Sequence, residues 1–354
     1  MNLQPRVLVA MSGGVDSSLA AALLHEQGYA VIGVTLHLWD AEGEDKVGRC
    51  CAPEDREDAR RTCELLGVPH YVFDEREAFR SRVVDPFVAI NQAGKTPIAC
   101  VACNQHVKLG RLWQIAQSFG CDKLATGHYA RLRHAPDGSA ELLRGADAGK
   151  DQSYFLFGVP QLILRHLMFP LGDLQKGAAR DAARRLLLPN WAKPDSQELC
   201  FIPDGNVREF VERHSGQRST PGEIVDESGA VLGRHAGIAG FTIGQRRGLG
   251  IPGREPRYVL RILPESHRVV VGGADRLGTR EFEAERVSWS GAVPLQPFAA
   301  RVRIRAKHTA ADAVVIPTRN GFMARFETPQ SAVAPGQAAV IYLDERVVGG
   351  GYIC

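Results

Sequence analysis

The sequence contains no apolar run that approaches the length of a membrane span, and 43 basic against 40 acidic residues leave a net charge of only +3 at pH 7. The first absence argues against a membrane-spanning protein. The second implies that any nucleic-acid-binding surface has to be local. No signal-peptide pattern precedes the first predicted strand, so we expect a cytosolic protein without a membrane partner.

Cysteine is also scarce, with eight residues among 354. In a long chain without a secretion signal, these are better interpreted as buried, redox-active or metal-binding thiols than as a disulfide framework. Hydrophobic residues make up 44% and charged residues 23%, which is typical of a globular protein. The length exceeds what one hydrophobic core usually holds, so two or three domains are expected.

Three patterns follow one another along the chain. From residue 6 to about 130, strand-like runs alternate with helical patterns, which predicts a parallel sheet wrapped by helices. Residues 206–285 mix short strands with glycine-rich turns, and from residue 286 short alternating runs indicate a β-barrel or sandwich. We therefore predict an α/β protein with domains at 1–205, 206–285 and 286–354.

The first predicted strand leads through residues 12–17, S-G-G-V-D-S, into a predicted helix. Such a turn leaves the first N–H groups of the helix pointing at one spot beside the positive end of the helix dipole, which forms an anion site. Serine hydroxyls add donors, and the carboxylate of Asp16 suits a magnesium ion that bridges to phosphate oxygens. The segment therefore predicts a nucleotide-binding site.

Neither of two common phosphate-binding patterns occurs at this strand end. No lysine follows the glycines as in G-x-x-x-x-G-K-[ST], and no G-x-G-x-x-G string stands there. The segment instead resembles the phosphate-binding loop of the ATP pyrophosphatases, which adenylate a carbonyl or carboxylate oxygen and release pyrophosphate. That resemblance alone leaves the substrate open.

Two cysteine motifs accompany this loop. Cys100 and Cys103 form a C-x-x-C ahead of a helix predicted over 105–119, and Cys200 stands in a predicted loop. A thiol at a helix N-terminus has its thiolate stabilised by the dipole, which makes Cys103 the better nucleophile candidate. An enzyme that adenylates an oxygen and holds two thiols can replace that oxygen with sulfur, because a persulfide on one cysteine attacks the activated carbon and the other cysteine then releases the sulfur.

Six strings together resemble the tRNA-specific 2-thiouridylase family along nearly the whole chain. They occupy residues 10–18, 125–129, 150–156, 200–202, 244–251 and 335–337. The resemblance implies an N-terminal ATP pyrophosphatase domain (adenine nucleotide α-hydrolase-like), a small central α/β domain and a C-terminal β-barrel. It also implies ATP-dependent conversion of the wobble uridine of tRNA to 2-thiouridine, with AMP and pyrophosphate as the other products.

The resemblance also assigns individual residues. ATP is expected at Ala10, Met11, Ser12, Gly13, Gly14, Val15, Asp16, Ser17, Leu36 and Gly127, with Leu36 packing against the adenine. Cys103 is the expected nucleophile and Cys200 the persulfide carrier. The anticodon arm of tRNA is expected to contact His128, Lys150, Asp151, Gln152, Lys307, His308 and Gln337. A cysteine desulfurase or a sulfur relay protein is expected as the donor, Mg²⁺ is the expected ion with ATP, and no resident metal site is assigned.

One departure from the family pattern leaves a second mechanism open. Many relatives have Asn-Pro-Asp where this chain has Ile98, Ala99 and Cys100. If Cys100, Cys103 and Cys200 converge, they provide three ligands for an iron–sulfur cluster, which is the less favoured alternative to a persulfide. Two other functions also stay open: an amide-forming ligase that acts on a metabolite, and a nucleic-acid-binding protein for which ATP is only a structural ligand.

A further candidate nucleic-acid surface is the segment 301–307, R-V-R-I-R-A-K. If it is a strand, its period of two places four cations on one face, which suits a phosphate backbone. The alternative interpretation is the solvated face of an edge strand, because basic residues also protect such edges.

Overall fold

A computed structural model of the chain describes residues 4–40, 53–195, 199–252 and 255–354. The chain forms two compact units. Unit 1 comprises Met1–Val83, Cys100–Pro203 and Glu345–Val347, and unit 2 comprises Val84–Ala99, Asp204–Asp344 and Val348–Cys354. Cys50 and Cys51 lie outside the described residues.

Unit 1 is built on a five-stranded parallel sheet, as the alternating pattern predicts. Its strands are β1 (Arg6–Ala10), β2 (Ala30–His37), β3 (His70–Asp74), β4 (Lys123–Ala125) and β7 (Leu167–Met168), in the order β3-β2-β1-β4-β7. The apolar run Val7, Leu8 and Val9 in central β1 is fully buried, as both faces of a parallel sheet are covered by helices.

Helices occur in both units. They are α1 (Val15–Glu26), α2 (Pro53–Leu66), α3 (Arg76–Phe79), α4 (Asp85–Gln92), α5 (Ala99–Ala102), α6 (Leu109–Ser118), α7 (Gln161–Leu164), α8 (Lys176–Arg185) and α9 (Val207–Ser215). Two π-helical stretches, Arg80–Val84 and Cys103–Lys108, join α3 to α4 and α5 to α6. No helix among the described residues is long and apolar enough to cross a membrane.

A β-hairpin turns at Gly138. It consists of β5 (Ala130–His134) and β6 (Ala140–Arg144), which pair antiparallel. Gly138 has φ +79°, the left-handed conformation that such a turn assigns to glycine.

Unit 2 contains a small sheet next to α9. Its strands are β8 (Gly222–Val225), β9 (Val231–His235), β10 (Tyr258–Leu263) and β11 (Arg268–Gly272), in the order β10-β11-β8-β9. Buried apolar side chains of β8, β10 and β11 form its core.

The C-terminal strands form a closed six-stranded barrel, so the predicted fold class is confirmed. They are β12 (Gly278–Trp289), β13 (Phe298–Arg303), β14 (Ala311–Thr318), β15 (Gly321–Ser331), β16 (Ala338–Leu343) and β17 (Arg346–Ile353). The order is β12-β15-β14-β13-β16-β17, and β12 also pairs with β17, which closes the barrel. The boundary predicted between residues 285 and 286 falls inside β12, and the division into three domains stays a prediction.

Candidate functional site

The loop between β1 and α1 has a conformation that requires glycine. Gly13 has φ +72°, and a Cβ added there would lie 2.1 Å from the carbonyl oxygen of Asp55. The hydroxyl of Ser17 accepts a hydrogen bond from Ser12 N at 3.1 Å and donates to Gly14 O at 2.9 Å. These bonds fold the loop back over the start of α1, where unpaired N–H groups favour an anion.

Gly127 lies directly against this loop. It follows β4, and both β2 and β4 flank β1, so the loops after β1 and β4 leave the same edge of the sheet at its switch point. A Cβ on Gly127 would lie 2.7 Å from the Asp16 carbonyl carbon and 2.8 Å from Ser17 N. The structure thus brings together the loop and Gly127, which the sequence analysis assigned to one site.

Three other residues that are predicted to bind the nucleotide lie on strands β1 and β2 or directly after β1. Ala10 ends β1 opposite Val34, and Met11 N donates to Val34 O at 2.8 Å. Leu36 lies farther along β2 and is buried, with 7% of its surface exposed. The expected contact of Leu36 with adenine stays a prediction.

Asp16 is held by a lysine that the sequence analysis did not assign. Lys176, the first residue of α8, places Nζ 2.8 Å from both carboxylate oxygens of Asp16, and the Tyr129 hydroxyl donates to Asp16 Oδ1 at 2.9 Å. Burial and the neighbouring Asp16 raise the pKa of Tyr129 far above its usual value, so the phenol keeps its proton. The loop lacks a lysine of its own, and α8 supplies one.

A second carboxylate, that of Asp195, collects three cations. Lys150 Nζ lies 2.7 Å from it, and Lys176 Nζ and Arg180 Nη2 each lie 2.9 Å from it. Burial alone would raise the pKa of Asp195, but the hydrogen bonds from Lys150 and Lys176 hold it well below its usual value. Lys176 therefore links Asp195 to the Asp16 carboxylate of the loop.

Two buried side chains anchor the carbonyl group of Gly13. Asn190 Nδ2 donates to Gly13 O at 2.9 Å, and Lys193 Nζ approaches the same oxygen at 3.4 Å. Lys193 also pairs with Asp55 and, at 2.6 Å, with Asp58. Burial lowers the pKa of Lys193, but the hydrogen bonds to Asp55 and Asp58 outweigh this and raise it, so Lys193 stays charged.

The sequence did not reveal these supporting residues, because only Tyr129 stands in one of the six matching strings and it was assigned no role there. They are Tyr129, Lys176, Arg180, Asn190, Lys193 and Asp195. The basic residues of 176–188 suit a helix, and α8 begins at Lys176. Its relation to the loop depends on a contact between residues 160 positions apart.

Cys103 does not lie where the sequence predicted. Helical structure begins at Ala99, and Cys103 opens the π-helical stretch that follows α5 instead of preceding a helix. The dipole argument for its thiolate therefore fails, and the predicted helix start at 105 is wrong. Cys103 is buried, with 6% exposed.

Within unit 1, helix α3 contacts the segments of both cysteines that are predicted to handle sulfur. Helix α3 packs on the stretch that begins with Cys103. Phe79, the last residue of α3, also packs edge-to-face against Phe201 at 5.6 Å between ring centroids, and Phe201 follows Cys200. Cys200 is partly exposed. Neither the structure nor the comparisons below support a disulfide as a standing feature of the chain.

The remaining cysteines separate into core and surface positions. Cys63 is fully buried in the core of unit 1, and burial raises its pKa to about 12. Cys100 is exposed. Across the described part of the chain, no group of three His, Cys, Asp or Glu side chains has the arrangement of a metal site. The iron–sulfur alternative therefore has no geometric support.

Four residues expected to contact tRNA lie in unit 1, and most of their side chains already have partners. His128 Nδ1 is 2.8 Å from Thr126 Oγ1, and burial lowers the pKa of His128 to about 3, so its ring is neutral. Asp151 is buried and accepts from Gly145 N at 3.1 Å, and Gln152 Oε1 accepts from Tyr129 N at 2.9 Å. Lys150 is bound to Asp195. Their contact with tRNA stays a prediction.

The other three expected tRNA contacts lie in unit 2. Lys307 is exposed, and His308 Nε2 is 3.0 Å from Gln330 Oε1, with burial lowering the pKa of His308. Gln337 Nε2 donates to Thr96 O at 3.2 Å. These assignments also stay predictions.

The predicted row of four cations on segment 301–307 is wrong. Strand β13 ends at Arg303, so the alternation does not continue to Lys307. Arg303 is buried, with 7% exposed, and its guanidinium donates to Ala306 O. Arg305 donates to Ser331 O at 2.7 Å. Both guanidinium groups therefore donate to backbone carbonyls of the protein.

Comparison with family models divides the chain into three matches. A tRNA methyl transferase HUP domain matches residues 5–204, a tRNA methyl transferase PRC-barrel domain matches 208–273, and an aminomethyltransferase β-barrel domain matches 279–353. The parallel sheet and its loop at the switch point define a nucleotide-binding domain of the ATP pyrophosphatase type.

Relatives identify the family more narrowly. The chain is 47% identical to a tRNA-specific 2-thiouridylase MnmA of Sorangium cellulosum over 98% of this chain and 92% of that protein. It is 46% identical to the protein of the same name from Acidobacterium capsulatum over the full length of both. The chain belongs to the tRNA-specific 2-thiouridylase family.

Solved structures resemble the chain only weakly. A 4-thiouridine synthetase in complex with RNA and ATP matches with a TM-score of 0.36 and 16% identity, over 59% of this chain and 50% of that chain. A TM-score at this level adds nothing to the assignment.

Proposed function

We propose that the chain is an ATP-dependent tRNA-uridine 2-sulfurtransferase. It adenylates the 2-carbonyl oxygen of the wobble uridine and replaces that oxygen with sulfur, giving 2-thiouridine, AMP and pyrophosphate. The observation that carries this proposal is the loop at the switch point, with Gly127 against it, in a chain that matches 2-thiouridylases along its whole length.

The loop is where the phosphates of ATP bind. Backbone N–H groups at the start of α1 and the hydroxyls of Ser12 and Ser17 face the anion, and Leu36 packs against the adenine. The Lys176 ammonium pairs with the carboxylates of Asp16 and Asp195 and is already desolvated. It can therefore exchange the Asp16 carboxylate for a phosphate oxygen when ATP binds. It then stabilises the charge that develops on departing pyrophosphate.

Magnesium fits this site chemically. Asp16 and the loop serines are oxygen donors, which Mg²⁺ prefers together with phosphate oxygens. When bound, the ion neutralises phosphate charge, while Lys176 and the loop orient the phosphates.

Sulfur transfer requires two cysteines with different roles. Cys200 carries a persulfide, whose terminal sulfur attacks C2 of the adenylated uridine, and the C2–O bond breaks to release AMP. The Cys103 thiolate then attacks Sγ of Cys200, so the bond between Sγ and the transferred sulfur breaks, the two cysteines form a disulfide, and the transferred sulfur stays on the base. A thiol reductant supplies two electrons to restore both cysteines, and a cysteine desulfurase or relay protein in the cytoplasm reloads Cys200.

The alternatives have weaker support. A persulfide needs only Cys103 and Cys200, whereas a cluster needs a third ligand, and Cys100 belongs to no such group in the described chain. An amide ligase would need ATP but neither thiol, whereas the relatives that match the whole chain are 2-thiouridylases.

The test separates adenylation from sulfur transfer. Purified protein is incubated with ATP, magnesium, unmodified tRNA with a wobble uridine, and a cysteine desulfurase with cysteine as the persulfide source, and the digested tRNA is analysed for thiouridine by mass. We expect Cys103→Ser and Cys200→Ser to abolish thiouridine but retain tRNA-dependent pyrophosphate release. We expect Lys176→Gln to reduce both by about 100-fold or more, whereas Lys123→Gln, at the opposite edge of the sheet, leaves both unchanged. Thiolation that survives without either cysteine would contradict the proposal.

A further inference from the structure

Unit 2 contains a cavity, and among its lining residues only Gln337 is an expected tRNA contact. Its volume is about 480 Å³, within the range of small-ligand pockets and large enough for a single nucleotide. It lies among the turn that contains Gly244, the first residue of β10 and the loop that follows β15. Its lining includes Tyr258, Leu277, Arg305 and Gln337.

Two backbone turns in the left-handed region form one wall of this cavity. Gly244 has φ +86° and Ala332 has φ +59°, and a Cβ on Gly244 would lie 2.5 Å from Ala332 Cβ. Gly244 N donates to Val259 O at 2.8 Å, and Ala332 N donates to Leu277 O at 3.3 Å. An alanine in this conformation is retained only where surrounding contacts fix it, so the wall is preformed.

The lining combines an aromatic ring with a guanidinium and an amide. Tyr258 and Leu277 provide apolar surface, and Arg305 is oriented by its bond to Ser331 O at 2.7 Å. Gln337 uses Nε2 to donate to Thr96 O, a bond that leaves Oε1 as an acceptor. A ring for stacking, a cation and an acceptor are the groups with which proteins bind an unpaired nucleotide.

The cavity is connected by hydrogen bonds to the segment that precedes the cysteines. Thr96 Oγ1 donates to Thr242 Oγ1 at 3.3 Å, and Thr96 O accepts from Gln337. Thr242 and Gln337 both line the cavity, and Thr96 stands seven positions before Cys103. A ligand in the cavity therefore contacts the residues that fix the start of this segment.

We propose that this cavity binds one unstacked nucleotide of the tRNA substrate, with the base on Tyr258 and its phosphate at Arg305. The proposal rests on the proposed function, since it assigns a subsite for the RNA. It makes the cavity a specificity-determining site for a base other than the reacting uridine.

A binding cycle with abasic tRNA tests the proposal. Unmodified tRNA transcripts, each with one base removed from the anticodon loop, are titrated against wild type, Tyr258→Leu and Tyr258→Phe without ATP. We expect one position at which base removal weakens wild-type binding by about 10- to 100-fold. At that position base removal leaves the binding of Tyr258→Leu unchanged, while Tyr258→Phe, which keeps the ring, behaves as wild type.

Arg305 provides a second measurement if Tyr258→Leu folds poorly. Arg305→Gln should weaken tRNA binding and reduce its salt dependence, whereas Arg325→Gln, an exposed arginine of β15 paired with Glu281, should change both less. Base-removal effects that are equal in wild type and Tyr258→Leu at every position would overturn the proposal. Wild-type pyrophosphate release and thiolation are measured in parallel, so that failure of the cavity proposal is distinguishable from failure of the proposed function.

Discussion

At the scale of single residues, Gly13 combines two requirements. Its backbone is left-handed, and the carbonyl of Asp55 occupies the place of a side chain. The sequence predicts a glycine that lets backbone approach a phosphate, but it does not show that another segment packs behind it. That segment is held by Lys193, which also reaches Gly13 O. Contacts within the protein therefore fix the conformation of the loop before a nucleotide binds.

Replacing Gly13 by alanine should destabilise the fold more than the same change at Gly28. Gly28 also has positive φ, +83°, but nothing lies within 4 Å of an added Cβ. We expect Gly28→Ala to lower the free energy of unfolding by about 1 kcal/mol, and Gly13→Ala to exceed this and to abolish pyrophosphate release. Urea unfolding of both variants measures the difference. Equal losses would show that the contact with Asp55 is unimportant.

The stability of the chain should depend on pH through His128. Its pKa falls from 6.5 to about 3 on folding because the ring is buried, so within this window the unfolded chain binds a proton that the folded chain does not. The contribution of His128 is complete above pH 6.5 and is lost as pH falls, by up to about 1.4 kcal/mol per pH unit.

The matched comparison uses an exposed histidine. Unfolding free energies of wild type, His128→Asn and His25→Asn are measured at about pH 7 and about pH 5. We expect the slope to decrease in His128→Asn alone, since His25 is on the surface of α1. An unchanged slope in His128→Asn would mean that the ring is protonated in the folded chain.

At the scale of elements, β13 shows why an alternating pattern is insufficient. Period two predicts which side chains share a face only while the chain remains a strand. The strand ends at Arg303 because that arginine donates to Ala306 O and fixes a turn. The alternation of apolar and basic residues does not predict this hydrogen bond. The helix with Cys103 likewise begins six residues before its predicted start, just after Pro97, with a π-helical stretch inside it.

Arg303 is therefore expected to act on stability instead of RNA affinity. Arg303→Met removes the hydrogen bond that the buried Arg303 side chain donates to Ala306 O, and we expect it to lower the free energy of unfolding by about 1–3 kcal/mol. Arg301→Met, on the same strand with 47% of its side chain exposed, should cost less. Urea unfolding gives the two costs. The salt dependence of tRNA binding should be unaltered by Arg303→Met, and a shallower slope would restore the cationic-face interpretation.

At the scale of the whole molecule, local patterns predict the layers but not the charge network of the site. The apolar run of β1, the alternation of strands and helices and the short C-terminal runs predict the parallel sheet and the barrel. The contact between Lys176 and Asp16 spans 160 positions, and that between Asn190 and Gly13 spans 177. Such pairs arise from the fold, so sequence spacing contains no signal for them.

The assignment of residues 84–99 to unit 2 also has a consequence for how the chain is made. Phe87 of this segment packs on Phe210 at 6.1 Å between ring centroids, and Thr96 N donates to Pro335 O at 2.8 Å. The ribosome completes the segment long before it makes residues 335–337. Thr96 can therefore form these hydrogen bonds only after synthesis has passed residue 337, and the segment that precedes Cys103 is fixed no earlier than that.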